Sequence, residues 1–221
     1  MPRLSMGWLT KGWRDVPAAQ RWMIGALAAF LLLMQIDPPF PETGLLHHAP
    51  TFALVLFLPG TLRRWPLPNA AVFCIVLFFA LHTIGGRWTY TDVPYDAWAE
   101  ALTGTTVSEI FGVTRNHYDR LVHLSYGLLA VLPVYEALRR HLELSHRVSL
   151  YIAVESVLAV SALYEVFEWG LSVAVAGDLA ARYNGQQGDI WDAQKDIGLA
   201  FIGSLVSAAW VARRRRSETH G

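Results

Sequence analysis

Four stretches of the chain carry side chains able to bind a metal or move a proton: His82; Asn116, His117, Asp119 and His123; Glu165 and Glu168; and Asp189, Asp192 and Asp196. Asp119 and His123 are four residues apart, and Glu165 and Glu168 three, so each pair shares a helical face. Ser161 and Ser172 extend the glutamate stripe, and the three aspartates repeat as i, i+3, i+7 if a helix begins early enough to carry them. Two carboxylates one turn apart near a membrane repel each other unless a cation intervenes. Arg120, Arg182 or Lys195 could supply that charge as a structural ion-pair network. A divalent metal would supply it equally, through histidine and carboxylate ligands. Under the metal reading, His82, Asp119, His123 and Asp196 bind zinc or manganese, and Glu165, Glu168 and Asp192 are the catalytic carboxylates. Each group also has a plainer reading. Asp119 could cap a helix N-terminus, His82 could be a hydrogen-bonded interface histidine, and His117 or Asp189 could be solvated.

The elements that position these residues are membrane helices. The chain is 53% hydrophobic and only 16% charged, below the ~25% charge of soluble domains. Crossing a ~30 Å hydrocarbon core as helix takes about 20 apolar residues. Six stretches qualify: 18–36, stopped by Asp37-Pro38-Pro39; 45–62, interrupted by His47, His48 and Pro59; 68–84, ending in Gly85-Gly86; 119–138; 149–176; and 192–212. The face of the last span that carries the aspartates continues as Ala200, Gly203 and Ser207, a small-residue ridge suited to close packing. The expected fold is therefore an all-α polytopic bundle forming one integral membrane domain, with the fifth and sixth spans in contact along their polar stripes.

Basic residues give the orientation. The N-terminal tail, the second-to-third and fourth-to-fifth connections and the C-terminus hold thirteen of the eighteen Lys and Arg. The other three connections hold Arg87, Arg115, Arg120, Arg182 and Lys195. The positive-inside rule then puts both termini in the cytoplasm and the candidate site at the outer face of a bacterial inner membrane. The 33 residues from Gly85 to His117 are too long for a turn, and Trp88, Tyr90, Tyr95 and Trp98 suggest a cap at the outer interface, with a short helix near Tyr95–Thr103. Zero net charge implies no attraction to nucleic acid, and a lone Cys74 supports neither a disulfide nor a thiolate zinc site.

The strings His82-Thr83-Ile84-Gly85-Gly86, Asn116-His117-Tyr118-Asp119-Arg120-Leu121-Val122-His123, Tyr164-Glu165-Val166-Phe167-Glu168-Trp169 and Gln187-Gly188-Asp189-Ile190-Trp191-Asp192-Ala193-Gln194-Lys195-Asp196 resemble, in order, the YjdF-type family of bacterial inner-membrane proteins. The resemblance runs from about Phe52 onward and implies a fold and a location, without an activity. A fainter likeness connects Asp119/His123, Glu165 and Asp196 with Gly203 to VanZ-like membrane proteins, associated with glycopeptide-antibiotic resistance. The extra His82 motif and the doubled Glu165/Glu168 depart from that pattern. The expected function is a metal-dependent membrane hydrolase open to the outer leaflet, acting on a lipid or lipid-linked envelope precursor that enters between helices. A transporter would want polar groups along a path across the bilayer, and the inner half offers mainly Glu155. A noncatalytic envelope factor would use the same residues as a structural ion-pair network.

Overall fold

The computed structural model describes residues 13–174 and 186–220, the last five as backbone. All regular structure among them is helical. Helices α1 (Ala18–Leu33), α2 (Pro41–Arg64) and α3 (Asn69–Arg87) precede the long connection, which folds into α4 (Tyr95–Thr103) and α5 (Val107–Phe111). Helices α6 (Tyr118–His141), α7 (His146–Ala174) and α8 (Asp192–His220) follow. Five of these, α2, α3, α6, α7 and α8, are long and apolar enough to cross a membrane, and α1 is a shorter apolar helix.

The helices depart from the sequence expectation at their ends, for local reasons. Helix α1 stops at Leu33 rather than Ile36, and the chain turns through Asp37, whose φ is 47°. Arg87 covers that turn, donating to the carbonyls of Met34 (2.8 Å), Ile36 (2.9 Å) and Asp37 (3.1 Å). It thereby brings a cation to the negative end of α1. Helix α2 begins earlier than expected, with Pro41 at its start, where a missing N–H costs nothing. Helix α3 does not end at Gly85-Gly86 but continues through both to Arg87. Their missing side chains make room for rings, since a Cβ on Gly86 would lie 2.8 Å from the His48 imidazole and one on Gly85 2.5 Å from the Tyr90 ring. Helix α8 runs on through the arginine cluster, and residues 175 and 176, expected at the end of the fifth span, lie outside the described residues.

Helix α6 is the centre of the bundle and packs against α3, α7 and α8, its longest contact being with α8. Two glycines explain that closeness. A Cβ on Gly127 would come within 2.8 Å of the Ser204 amide, and one on Gly203 within 2.9 Å of the Leu128 amide. The backbones touch where neither residue has a side chain, as in small-residue membrane interfaces. Below this contact Val131, Leu132, Tyr135, Ala153, Val157, Ala200 and Val211 form one apolar cluster, and Val16, Ile24, Leu58, Leu62 and Val72 form another around α1.

The long connection folds back onto the start of α6. Thr106 and Glu109 form a capping box at the start of α5, and Asp96 ties α4 to it through the Ser108 amide (3.0 Å) and hydroxyl (2.5 Å). The Ser108 hydroxyl holds the Asp96 carboxyl below its usual range. Asn116 donates to the Val93 carbonyl (2.9 Å), and the Tyr95 hydroxyl accepts from the His117 amide (3.0 Å). The short helix expected at Tyr95–Thr103 is α4, and it closes the loop end of the bundle.

Candidate metal centre

Helices α6, α7 and α8, with the segment leading into α8, deliver acids to the loop end, and cations mark off the layer nearest the loop. In the layer nearest the loop, Arg115 donates to Asp192 at 2.9 Å and to Asp189 at 3.4 Å. Arg120 pairs with the same Asp189 oxygen and approaches Asp192 at 3.5 Å, and Lys195 reaches Asp189 at 2.5 Å. The Lys195 ammonium first, then the Trp191 amide and Arg120, hold the Asp189 carboxyl down to about 2. His117 joins this layer as the N-cap of α6 and sits 3.2 Å from an Arg120 nitrogen. Partial burial, then the Arg120 and Arg115 charges, lowers its proton affinity, so the ring nitrogen accepts rather than carries a second proton. Gln187 and Asn116 exchange backbone and side-chain hydrogen bonds at 2.9 and 3.0 Å and lock the two segments together.

One turn deeper, no ion pair to Lys or Arg is present among the described residues. Asp119, the second residue of α6, and His123 one turn on, point toward Asp196 of α8. Asp119, His123 and Asp196 are all buried, and one donor atom of each lies within 4.8 Å of the other two. From α7, Glu165 brings an oxygen to 3.4 Å from His123 Nε2, while Asp119 Oδ1 lies 3.7 Å from the same nitrogen. Glu168 is buried one turn further along α7. Among the described residues, Asp196 Oδ1 and Glu165 Oε1 are buried without a hydrogen-bond partner.

Such orphaned carboxylate oxygens are rare, because each costs about 1–3 kcal/mol or more when charged. Carboxylates gathered in a low-dielectric site must be neutralised by protons or by a cation, and among the described residues Arg115, Arg120 and Lys195 are engaged in the layer above. The donor set suits a divalent metal: one imidazole and two carboxylates form a three-ligand set that leaves a further position open. Asp119 Oδ1 and His123 Nε2, 3.7 Å apart, are close to the roughly 3.4 Å that separates donors on a tetrahedral zinc.

A cavity of about 480 Å³ adjoins the cluster. Asp119, His123, His82 and Tyr90 stand at its polar end. Its floor follows α6 from Asp119 to Val134, with α2 and α3 on one side and Val160, Ser161 and Tyr164 of α7 on the other. Apart from Ser161 and the phenols, its walls below the cluster are apolar.

The Predicted membrane protein (DUF2238) family matches residues 19–217. The chain is 36% identical over 188 residues, 85% of its length, to the inner membrane protein YjdF of Escherichia coli strain K12, of which the match covers 86%. The chain belongs to the DUF2238 family. It is a multi-pass inner-membrane protein. No solved structure matches it.

In this DUF2238 protein the residues named from sequence separate by depth. Asp119, His123 and Asp196 come together, with Glu165 beside them and Glu168 on the same helix. Asp119 caps nothing: His117 holds the N-cap position, and the Asp119 carboxylate is turned inward. Asp192, expected among the catalytic carboxylates, is bound by Arg115 and Arg120 and braces the outer layer instead. His82, expected as a ligand, stands outside the donor group. Its Nε2 faces the His47 carbonyl at 2.8 Å, and its Nδ1 accepts from the Tyr90 hydroxyl. Both ring nitrogens are thus engaged within the protein. His47 and His48 join that network rather than the acid cluster, with His48 bridging the Thr83 carbonyl (3.0 Å) and Gln35 (2.9 Å). Arg182, one of the cations considered for the glutamate pair, lies outside the described residues. Sequence reasoning missed Arg115 as the partner of Asp192, and Tyr90 as the partner of His82. The positive φ values of Thr89 (51°) and Tyr90 (60°) mark the backbone bend that turns the Tyr90 ring inward, and no residue type there announces it.

Proposed function

We propose that the chain is a metal-dependent membrane hydrolase whose single integral membrane domain opens toward the outer leaflet and acts on a lipid or lipid-linked envelope precursor. The observation that carries this reading is the buried Asp119–His123–Asp196 group, in which Asp196 Oδ1 has no hydrogen-bond partner among the described residues, beside an elongated apolar cavity. Zinc and manganese both accept imidazole with carboxylates. A divalent ion in such a position supplies a water of lowered pKa and a Lewis-acid contact for a carbonyl or phosphoryl oxygen. Asp119, His123 and Asp196 would hold it. Glu165, whose Oε1 is buried and without a hydrogen-bond partner, is positioned to take the proton from the attacking water and return it to the leaving group. Glu168, buried one turn further along α7, is the second carboxylate of that stripe. The paired Asp189 and Asp192 keep Arg115 and Arg120 at the rim, where they fix the angle between α6 and α8.

The test is elemental analysis of the full-length protein and of His123→Ala and Asp119→Asn, together with assays for cleavage of inner-membrane lipids in the presence and absence of chelator. The reading expects a bound transition metal, an activity that chelator removes, and a loss of about 10–100-fold in either for Asp119→Asn. A wild-type protein free of metal would end it. The second reading, a noncatalytic membrane factor, draws on the Arg115/Arg120/Lys195 network, which would brace the bundle with or without a metal. Metal-free protein of undiminished stability would favour it. A transporter is less well supported, since below Ser161 the cavity walls offer only the phenol of Tyr126 among the described residues.

A further inference from the structure

We infer that the cavity beside the cluster is the binding site for one ester-linked acyl chain of a lipid, with the ester carbonyl at Ser161 and the headgroup at the acid cluster. The inference deepens the hydrolase reading by naming the tail, and depends on it only for what happens at the headgroup.

Three observations carry it. The cavity follows α6 from Asp119 to Val134, a rise of about 22 Å of helix, which exceeds the ~15 Å depth of one hydrocarbon leaflet. Its volume, about 480 Å³, lies in the range of small-molecule sites, ~300–1,000 Å³. The lining ends at Pro133 and Val134, and the next residue on α6, Tyr135, belongs to a packed apolar cluster. The polarity of the cavity follows the same axis: carboxylates and histidine at one end, hydrocarbon along the rest. Charge only at the mouth matches a lipid, whose charge is confined to its headgroup. Water is a poor occupant of such a wall, since it needs two to four polar partners.

Ser161 fixes the register of the occupant. It is 2% exposed, lines the cavity one turn below Glu165, and its Oγ has no hydrogen-bond partner among the described residues. The other serines of α7 all have acceptors: Ser149 bonds the Leu144 carbonyl at 3.4 Å, Ser156 the Ile152 carbonyl at 2.7 Å and Ser172 the Glu168 carbonyl at 3.2 Å. A serine that does not bond back to its own helix, buried against an apolar chamber, is a donor without an acceptor. An ester carbonyl one turn below the headgroup supplies one, and an isoprenoid chain does not. Access is lateral. Helices α3 and α7 both pack on α6, and Val160 at the α7 edge is half-exposed.

The experiment uses full-length protein in vesicles of phosphatidylethanolamine and phosphatidylglycerol, with a fraction of the phosphatidylglycerol bearing a diazirine at the end of one acyl chain. Photolabelling is expected to concentrate on peptides containing Cys74, Phe78 and Ala130. It should fall about tenfold in Ala130→Phe, which fills the floor, and stay unchanged in Leu163→Phe on the lipid-facing side of α7. If Ala130→Phe does not fold, Val134→Phe fills the next turn of the same floor. Ser161→Ala should weaken competition by unlabelled ester lipid about three- to tenfold, the value of one hydrogen bond, and leave competition by an ether-linked analogue unchanged. Labelling spread evenly over exposed helix faces, or a polyprenyl phosphate probe that labels the same peptides better, would overturn the inference. Metal content measured on the same samples separates the two claims. Labelled, metal-free protein would keep the acyl site and lose the hydrolase; metal-bound protein without focused labelling would do the reverse.

Discussion

Asp196 is 1% exposed, and one of its oxygens has no hydrogen-bond partner among the described residues, whereas Asp189, seven residues earlier, is held by three cations. That contrast defines the site at the scale of single residues. Asp196→Asn keeps the shape but removes the charge, and should lower bound metal about 10–100-fold by elemental analysis, whereas Asp189→Asn should leave metal content unchanged. His82→Ala should also leave metal in place, because the His47 carbonyl and the Tyr90 hydroxyl already engage both ring nitrogens. The Asp189 cluster makes its own prediction about pH. Its carboxyl is held down to about 2, below the ~3.9 of an unfolded aspartate, so its stabilisation is present above the higher value and is lost as pH falls toward the lower. Hydrogen exchange of residues 186–195 should therefore stay protected at pH 4 and open as pH approaches 2. Protection already lost at pH 5 would show that the pairs do not form. Spacing alone revealed which acids share a face. It did not reveal which cation meets which acid, because Arg115 reaches Asp192 across seventy-seven residues, from a loop whose course depends on Asn116 and Tyr95.

Between elements, the decisive contact is α6 against α8. The ridge of Ala200, Gly203 and Ser207 was legible in the sequence as a surface for close packing, but its partner was not. Gly127 fills that role from within a span whose apolar residues show no one-sided stripe. Helices α7 and α8 do contact each other, yet α6 lies against both and supplies two of the three clustered donors. Gly127→Val would push a branched side chain into the Ala200 carbonyl, and Gly203→Val into the Leu124 carbonyl. Each should destabilise by about 1–3 kcal/mol or more, seen as a lower midpoint of thermal unfolding in detergent. An unchanged midpoint for both would mean that the helices are further apart than this packing requires. The end of α3 was misread for a related reason. Gly85-Gly86 looks like a helix stop, but here the missing side chains admit the rings of Tyr90 and His48 against a helix that continues.

At the scale of the molecule, membrane spans were the most legible feature, since a bilayer demands long apolar helices and the chain supplies them in order. The three groups of basic residues that follow the even-numbered spans set the proposed orientation. In a Cys74→Ala background, a cysteine at Thr105 should react with an impermeant thiol reagent in cells with a permeable outer membrane, and one at Arg140 should not. The reverse pattern would place the acid cluster on the cytoplasmic side. What the sequence could not convey is depth: which acids are paired with cations at the rim and which gather around His123 one turn further in. That division is the centre of the account, and a cobalt titration tests it most directly. Chelator-stripped full-length protein in micelles, titrated with Co²⁺ and followed by visible d–d absorption, should saturate at one ion per chain in the wild type. Asp196→Asn and His123→Ala should lose the signal, and Asp189→Asn should keep it. Saturable binding that survives both Asp196→Asn and His123→Ala, or no saturable binding in the wild type, would contradict the account.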